Sequence, residues 1–213
     1  MKYDAVIFDM DGVLLDSTPA HESAFRKVMG PYGVKNWDYP EIAGMHTETA
    51  MRKLFKEAKY EISEEELKAC IFKKRKLAFE ELSNFTVIGK EIFEVLSALS
   101  QRYPLALASS ASSRLVQWFV ENSKTRGLWK TILSGEDVKQ AKPAPEIYLK
   151  AAEKLAMTPQ NCVVIEDALS GIQSALAAGM DVFVRLGTLS QLPQGEPKVR
   201  KGFYQLSELL QIL

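Results

Sequence analysis

Cysteine and histidine are scarce in this sequence, with two of each in 213 residues. Cys70 and Cys162 show neither metal-ligand spacing nor the density of a disulfide framework. Both read as buried apolar fillers, one in an expected helix and one in an expected strand. No thiolate or imidazole set is present to suggest zinc. An excess charge of either sign is also lacking, because 27 basic residues balance 27 acidic ones. No long-range field therefore favours nucleic acid or a membrane surface, and a small anion has to be captured by local groups. Long apolar runs are missing too. The first is short and is interrupted by Asp9 and Asp11, which gives neither a signal peptide nor a spanning helix, so the expected location is cytoplasmic. There is no internal repeat and no low-complexity segment. An apolar content of 46% suits a globular chain with room for one medium domain and a smaller one.

What is present is organised around Tyr3-Asp-Ala-Val-Ile-Phe-Asp9-Met-Asp11-Gly12. An apolar run rich in β-branched and aromatic residues ends in two carboxylates one residue apart, and a glycine free to turn follows at once. This reads as a buried strand that presents acids at its carboxyl end, where ligands bind in open α/β sheets. Thr18–Met29 reads as a helix opened by Pro19. Trp37–Leu82 contains two or three amphipathic helices and no convincing strand. From Glu91 onward helix and strand alternate: helices over 91–100, 114–123, 145–155, 171–178 and 206–213, and strands over 105–109, 131–134, 162–166 and 182–185. Such alternation specifies a doubly wound parallel sheet of the Rossmann-like α/β class. Residues 1–16 and 84–213 are expected to form it, with residues 17–83 as an inserted helical domain.

The last inserted helix, marked at its start by a Ser63/Glu66 capping box, carries an irregularity. Leu67, Cys70, Ile71, Ala78 and Leu82 share one face, and Lys74 falls in the middle of it. Either its stem packs while the ammonium reaches for water, or the helix faces the crevice and Lys74 meets an anionic substrate. Lys73, Arg75 and Lys76 read as a solvated face.

A second acidic pair, Glu166-Asp167, ends another apolar strand, Cys162–Ile165. If both strands are central and parallel, the two pairs converge. Like charges about 4 Å apart repel by roughly 4 kcal/mol at an effective dielectric near 20, so the cluster calls for cations, and an oxygen-only set suits magnesium. Ser109 and Ser110, after the strand at 105, offer hydroxyls and loop backbone donors to phosphate oxygens. Lys142 precedes two prolines that restrict its backbone, which argues for a positioned ammonium.

These stretches, together with Lys142-Pro-Ala-Pro-Glu-Ile-Tyr and Ile165-Glu-Asp167-Ala-Leu-Ser-Gly171, resemble in order and spacing the four motifs of the haloacid dehalogenase superfamily. The resemblance spans essentially the whole chain and is strongest to the β-phosphoglucomutase and phosphatase branch. It implies Asp9 as the nucleophile that becomes an aspartyl phosphate and Asp11 as general acid and then base. It implies magnesium held by Asp9, the Asp11 carbonyl and Asp167, with Glu166 nearby. Ser109 and Lys142 would hold the phosphoryl oxygens, aided by backbone N–H groups near Met10, Asp11 and Ser110. His21 and Asp16 stand where the mutase has a histidine and an aspartate after its first motif, and Lys74 matches its cap lysine. Thr47, after His46, stands where the mutase has a phosphate-clamping arginine, and losing that clamp weakens the mutase assignment.

The leading expectation is therefore magnesium-dependent hydrolysis of a small phosphomonoester such as a sugar phosphate. A phosphomutase is the alternative, and an inorganic pyrophosphatase or a non-catalytic binding module is more remote. The expected partner is a small phosphorylated metabolite, with neither nucleic acid nor membrane. Oligomeric state is open, and a monomer fits.

Overall fold

A computed structural model describes residues 3–85 and 88–213. In chain order the elements are β1 (Ala5–Phe8), α1 (Thr18–Met29), α2 (Thr47–Glu57), α3 (Glu64–Phe85), α4 (Lys90–Ser100), β2 (Leu105–Ala108) and α5 (Ser113–Asn122). They continue with β3 (Trp129–Leu133), α6 (Glu146–Lys154), β4 (Cys162–Glu166), α7 (Leu169–Ala177), β5 (Asp181–Arg185), β6 (Val199–Phe203) and α8 (Leu209–Ile212). No described helix is long and apolar enough to cross a membrane.

The six strands form one parallel sheet in the order β3-β2-β1-β4-β5-β6. This is the doubly wound α/β arrangement expected from the alternating pattern. Strands β1, β2 and β4 are buried at every position because both faces of the sheet are covered. Successive side chains point to opposite faces. Val6, Phe8, Leu105, Leu107, Val163 and Ile165 join a core with residues of α4, α5 and α8. Ala5, Ile7, Ala106, Ala108 and Val164 join a second core with residues of α6 and α7. β1 lies between β2 and β4, so its carboxyl end opens into the crevice where strand order reverses.

Helices α1–α3 share a third core that includes Phe25, Met29, Trp37, Met51, Leu54, Phe55, Leu67 and Cys70. The Ser63/Glu66 capping box is present, with Ser63 Oγ accepting from the Glu66 N–H at 3.2 Å and the Ser63 N–H donating to Glu66 Oε2 at 3.2 Å. Both cysteines are free and buried.

Three expectations change. Ser83 and Asn84, expected at the return to the sheet, are still inside α3. The expected terminal helix 206–213 is a short 3-10 turn followed by α8. Between Arg185 and that turn lies β6, which was not expected. Its Arg200 and Lys201 are exposed and only Phe203 is buried, so it lacks an apolar run or alternation and reads as an edge protected by charge.

Candidate active site

Parallel register brings the catalytic candidates to one end of the sheet. Asp9 follows β1, Ser109 follows β2, Glu166 ends β4 and Asp167 follows it. Asp9 and Asp167 are both 4% exposed and Glu166 is fully buried. A carboxylate oxygen from each lies within 4.8 Å of the others. The Asp11 carboxylate is not in that group and turns instead toward the helical side.

Lys142 answers the negative charge. It is buried, and its ammonium donates to Asp9 Oδ1 at 2.5 Å and to Glu166 Oε1 at 2.7 Å. Burial opposes its charge, but Asp9 and Glu166 hold its pKa well above that of an ordinary lysine. Burial raises the Asp9 carboxyl despite Lys142, and Glu166, Asp11 and Asp167 push it further up. Burial and then Glu166 raise Asp167 to about 7. One lysine thus leaves the acids under-neutralised. The donor set is carboxylate oxygen alone, which fits a hard divalent cation.

Glu166 already accepts at both oxygens. Lys142 and the buried Tyr148 hydroxyl reach Oε1, and the N–H groups of Asp167 and Ala168 reach Oε2. The carboxylate lies so close to α7 that a Cβ at Gly171 would fall 1.6 Å from Oε1. Glu166 is therefore built to hold Lys142 and the β4–α7 turn, and any contribution to a cation would be indirect. Tyr148 carried no signal in sequence beyond standing in the stretch that begins at Lys142.

Asp11 belongs to a different chain of contacts. Its Oδ1 accepts from the Ser17 hydroxyl at 2.6 Å and lies 3.2 Å from His21 Nε2, and Ser109 Oγ donates to Oδ2 at 3.2 Å. Lys74 Nζ is 2.8 Å from His21 Nδ1 and sits 4.4 Å from the centre of the Phe25 ring. An ammonium can only donate, so Nδ1 accepts and Nε2 carries the hydrogen that faces Asp11. Burial opposes the Asp11 charge, but the contacts with His21, Ser17 and Lys74 outweigh it and lower Asp11 to about 2. Burial and Lys74 lower His21. Burial lowers Lys74 to about 7 against the pull of Asp11. Lys74 is 4% exposed, so of the two readings of that helical face the packed stem reaching water does not hold.

A cavity of about 50 Å³ lies over Asp11, lined by His21, Phe25, Tyr39, Thr47, Lys74 and Ser110 among others. Thr47 opens α2 and is buried there. The Ser110 hydroxyl, expected to face a phosphate, donates instead to the Gly44 carbonyl at 2.9 Å, and the Ser170 hydroxyl donates to the Ala43 carbonyl at 2.8 Å. Two turns of the sheet thus hold one loop of the helical region. What Ser110 keeps for an anion is its backbone N–H, which, like those of Met10 and Asp11, has no acceptor among the described residues. Unpaired N–H groups are uncommon where chain is buried and suit a bound anion. Arg75 is also not on a purely solvated face, because it reaches His46 Nε2 at 3.0 Å and lies 3.9 Å from Glu136. Asp16 stands in the non-helical connection before α1 and lines a cleft outside the cluster.

Residues 6–184 match the haloacid dehalogenase-like hydrolase family. The chain belongs to that family. Within this hydrolase family it falls in the phosphatase and phosphoglucomutase-like branch. It is 32% identical over 187 residues to the fructose-1-phosphate phosphatase YqaB of Escherichia coli, covering 87% of this chain and 98% of that one. It is 31% identical over 215 residues to a phosphorylated carbohydrates phosphatase of Thermotoga maritima, covering 99% of this chain and 98% of that one. In fold it resembles the β-phosphoglucomutase of Clostridium difficile, with a TM-score of 0.81 at 24% identity over 97% of this chain and 93% of the other.

Proposed function

We propose that this haloacid dehalogenase-like hydrolase cleaves a small phosphomonoester, a sugar phosphate in the first instance, by magnesium-dependent transfer of the phosphoryl group to Asp9 and then to water. The observation that carries the reading is the double setting of Asp9. It is paired with Lys142 at 2.5 Å and at the same time shares an oxygen cluster with Asp167. The two relatives named for phosphatase activity on sugar phosphates support the substrate class.

Asp9 and Asp167, with the Asp11 carbonyl, would hold magnesium, with Glu166 behind them. Such an ion supplies charge neutralisation at the phosphoryl oxygens and lets an anionic substrate approach buried carboxylates. Lys142 and the unpaired N–H groups of Met10, Asp11 and Ser110 bind the remaining phosphoryl oxygens. Asp9 attacks phosphorus in line, forming an O–P bond as the bond to the leaving oxygen breaks. That oxygen takes a proton through Asp11, and Asp11 then removes a proton from the water that releases phosphate. An Asp11 held at about 2 is prepared as the base. Its service as acid depends on the negative charge that substrate brings beside it, which works against the His21 hydrogen that favours the carboxylate.

Residues 17–83 act in this reading as a cap, with Lys74, His21 and Thr47 facing the leaving group. Hydrolysis is preferred to mutase chemistry because Thr47 cannot grip a second phosphate in two-pronged fashion. A panel of phosphomonoesters and pyrophosphate with magnesium tests the proposal, with a hexose 1-phosphate plus bisphosphate activator as the mutase arm. Free phosphate is the expected product. Isomeric sugar phosphate without free phosphate would overturn the hydrolytic assignment, and inactivity across the panel would overturn the enzyme's proposed chemistry.

A further inference from the structure

Asp167 is gripped by a segment that no motif singles out, residues 185–188, at the end of β5 and beyond it. The Thr188 hydroxyl donates to Asp167 Oδ2. The same oxygen lies against Gly12, where a Cβ would fall 1.9 Å away and where φ is +79°. The Gly12 turn is tied to that segment in turn, because Arg185 Nη1 donates to the carbonyls of Val13 at 2.6 Å and of Gly12 at 3.3 Å. One short stretch from β5 therefore braces both the turn behind Asp11 and the carboxylate of Asp167, which come from β1 and β4.

A carboxylate that accepts at one oxygen is fixed in rotation, and its second oxygen is then presented in a set direction. Asp167 Oδ1 receives no hydrogen bond among the described residues, whereas Oδ2 is occupied by Thr188. Beside the brace is a cleft of about 310 Å³ lined by Gly12, Asp16, Thr18, Arg185, Gly187 and Thr188 among others.

We propose that Thr188 is a positioning residue for the divalent cation: by donating to Asp167 Oδ2, it turns Oδ1 toward the cluster with Asp9. The inference rests on the cation-binding reading above. Partners one step removed from a metal typically change its affinity by about 10-fold to 100-fold when lost. Thr188 can be tested without changing charge, since valine keeps the shape and lacks the hydroxyl while serine keeps the hydroxyl.

Magnesium alone should be titrated calorimetrically into the full chain, with no substrate present. Thr188→Val should raise the dissociation constant about tenfold or more and Thr188→Ser by less than about threefold, with both variants still folded and unfolding cooperatively without metal. Thr188→Ala supplies the same loss should the valine variant fail to fold. Magnesium binding by Thr188→Val as tight as wild type, or no recovery in Thr188→Ser, would overturn the role of Thr188 and leave the cation reading standing. Failure of the wild-type chain to bind magnesium would overturn both.

Discussion

The Lys142 ammonium lies 2.5 Å from Asp9 Oδ1, an ion pair sealed from solvent at the carboxyl end of the central strand. Removing one partner of a buried pair costs on the order of 3–5 kcal/mol, because the other charge is left uncompensated. Lys142→Met should therefore lose both activity and stability.

The loss of stability should depend on pH. The Asp9 carboxyl, already raised by burial, rises further without Lys142. A carboxyl with a raised folded pKa binds its proton more tightly in the folded chain, so stability falls as pH rises from the ordinary carboxylate range toward the raised value. Urea unfolding should show a larger deficit for Lys142→Met near pH 8 than near pH 5, and equal deficits would contradict the pairing.

Asp11 leads to a separation of half-reactions. With p-nitrophenyl phosphate the leaving group needs no proton, so Asp11→Asn should still phosphorylate Asp9 but should lack the base that activates water. Phosphoenzyme should accumulate, detected by acid quench. A variant that turns over at the wild-type rate would remove Asp11 from the mechanism.

Lys74 should set an alkaline limb. Its pKa of about 7 means that the ammonium, the form suited to an anionic group on the substrate, is lost as pH rises above neutrality. kcat/KM for such a substrate should fall above about pH 7, and Lys74→Gln should lack that limb. The stability sign is opposite to that of a paired lysine. Between about 7 and 10.5 the unfolded chain holds a proton that the folded chain has released, so stability rises with pH across that window. Lys74→Met should accordingly stabilise most below pH 7.

Two glycines offer a contrast within one molecule. Alanine normally favours a helix over glycine by about 1 kcal/mol. At Gly171 in α7, however, the added Cβ would collide with the Glu166 carboxylate at 1.6 Å. Gly171→Ala should destabilise by about 1–3 kcal/mol and impair activity. Gly127, in the short 3-10 turn Arg126–Leu128, is not in the left-handed region, and beyond its chain neighbours nothing lies within 4 Å of a built Cβ. Gly127→Ala should stabilise by about 0.4–1 kcal/mol. Thermal unfolding separates the two, and the same sign at both would contradict the packing described around Glu166.

Much of this arrangement was legible in sequence because parallel strands report their own ends. An apolar run stopped by Asp9-Met-Asp11 and another stopped by Glu166-Asp167 can meet only at the carboxyl edge of the sheet. Lys74 was legible as a cation on an apolar helical face. What escaped has no period or spacing to mark it. Thr188 is a single hydroxyl on a loop after β5, and Ser110 and Ser170 act on carbonyls whose positions depend on tertiary packing. Arg75 resembles its charged neighbours until the chain brings His46 to it. β6 was invisible because an edge strand buries little and can carry charge.

The most direct test of the central claim is to quench the enzyme in acid during turnover of a phosphomonoester radiolabelled in its phosphoryl group, with magnesium present, and to map the label. The account predicts an acyl phosphate on the peptide that contains Asp9 and no label in Asp9→Asn, which should not turn over. Label on another residue, or turnover by Asp9→Asn, would contradict it.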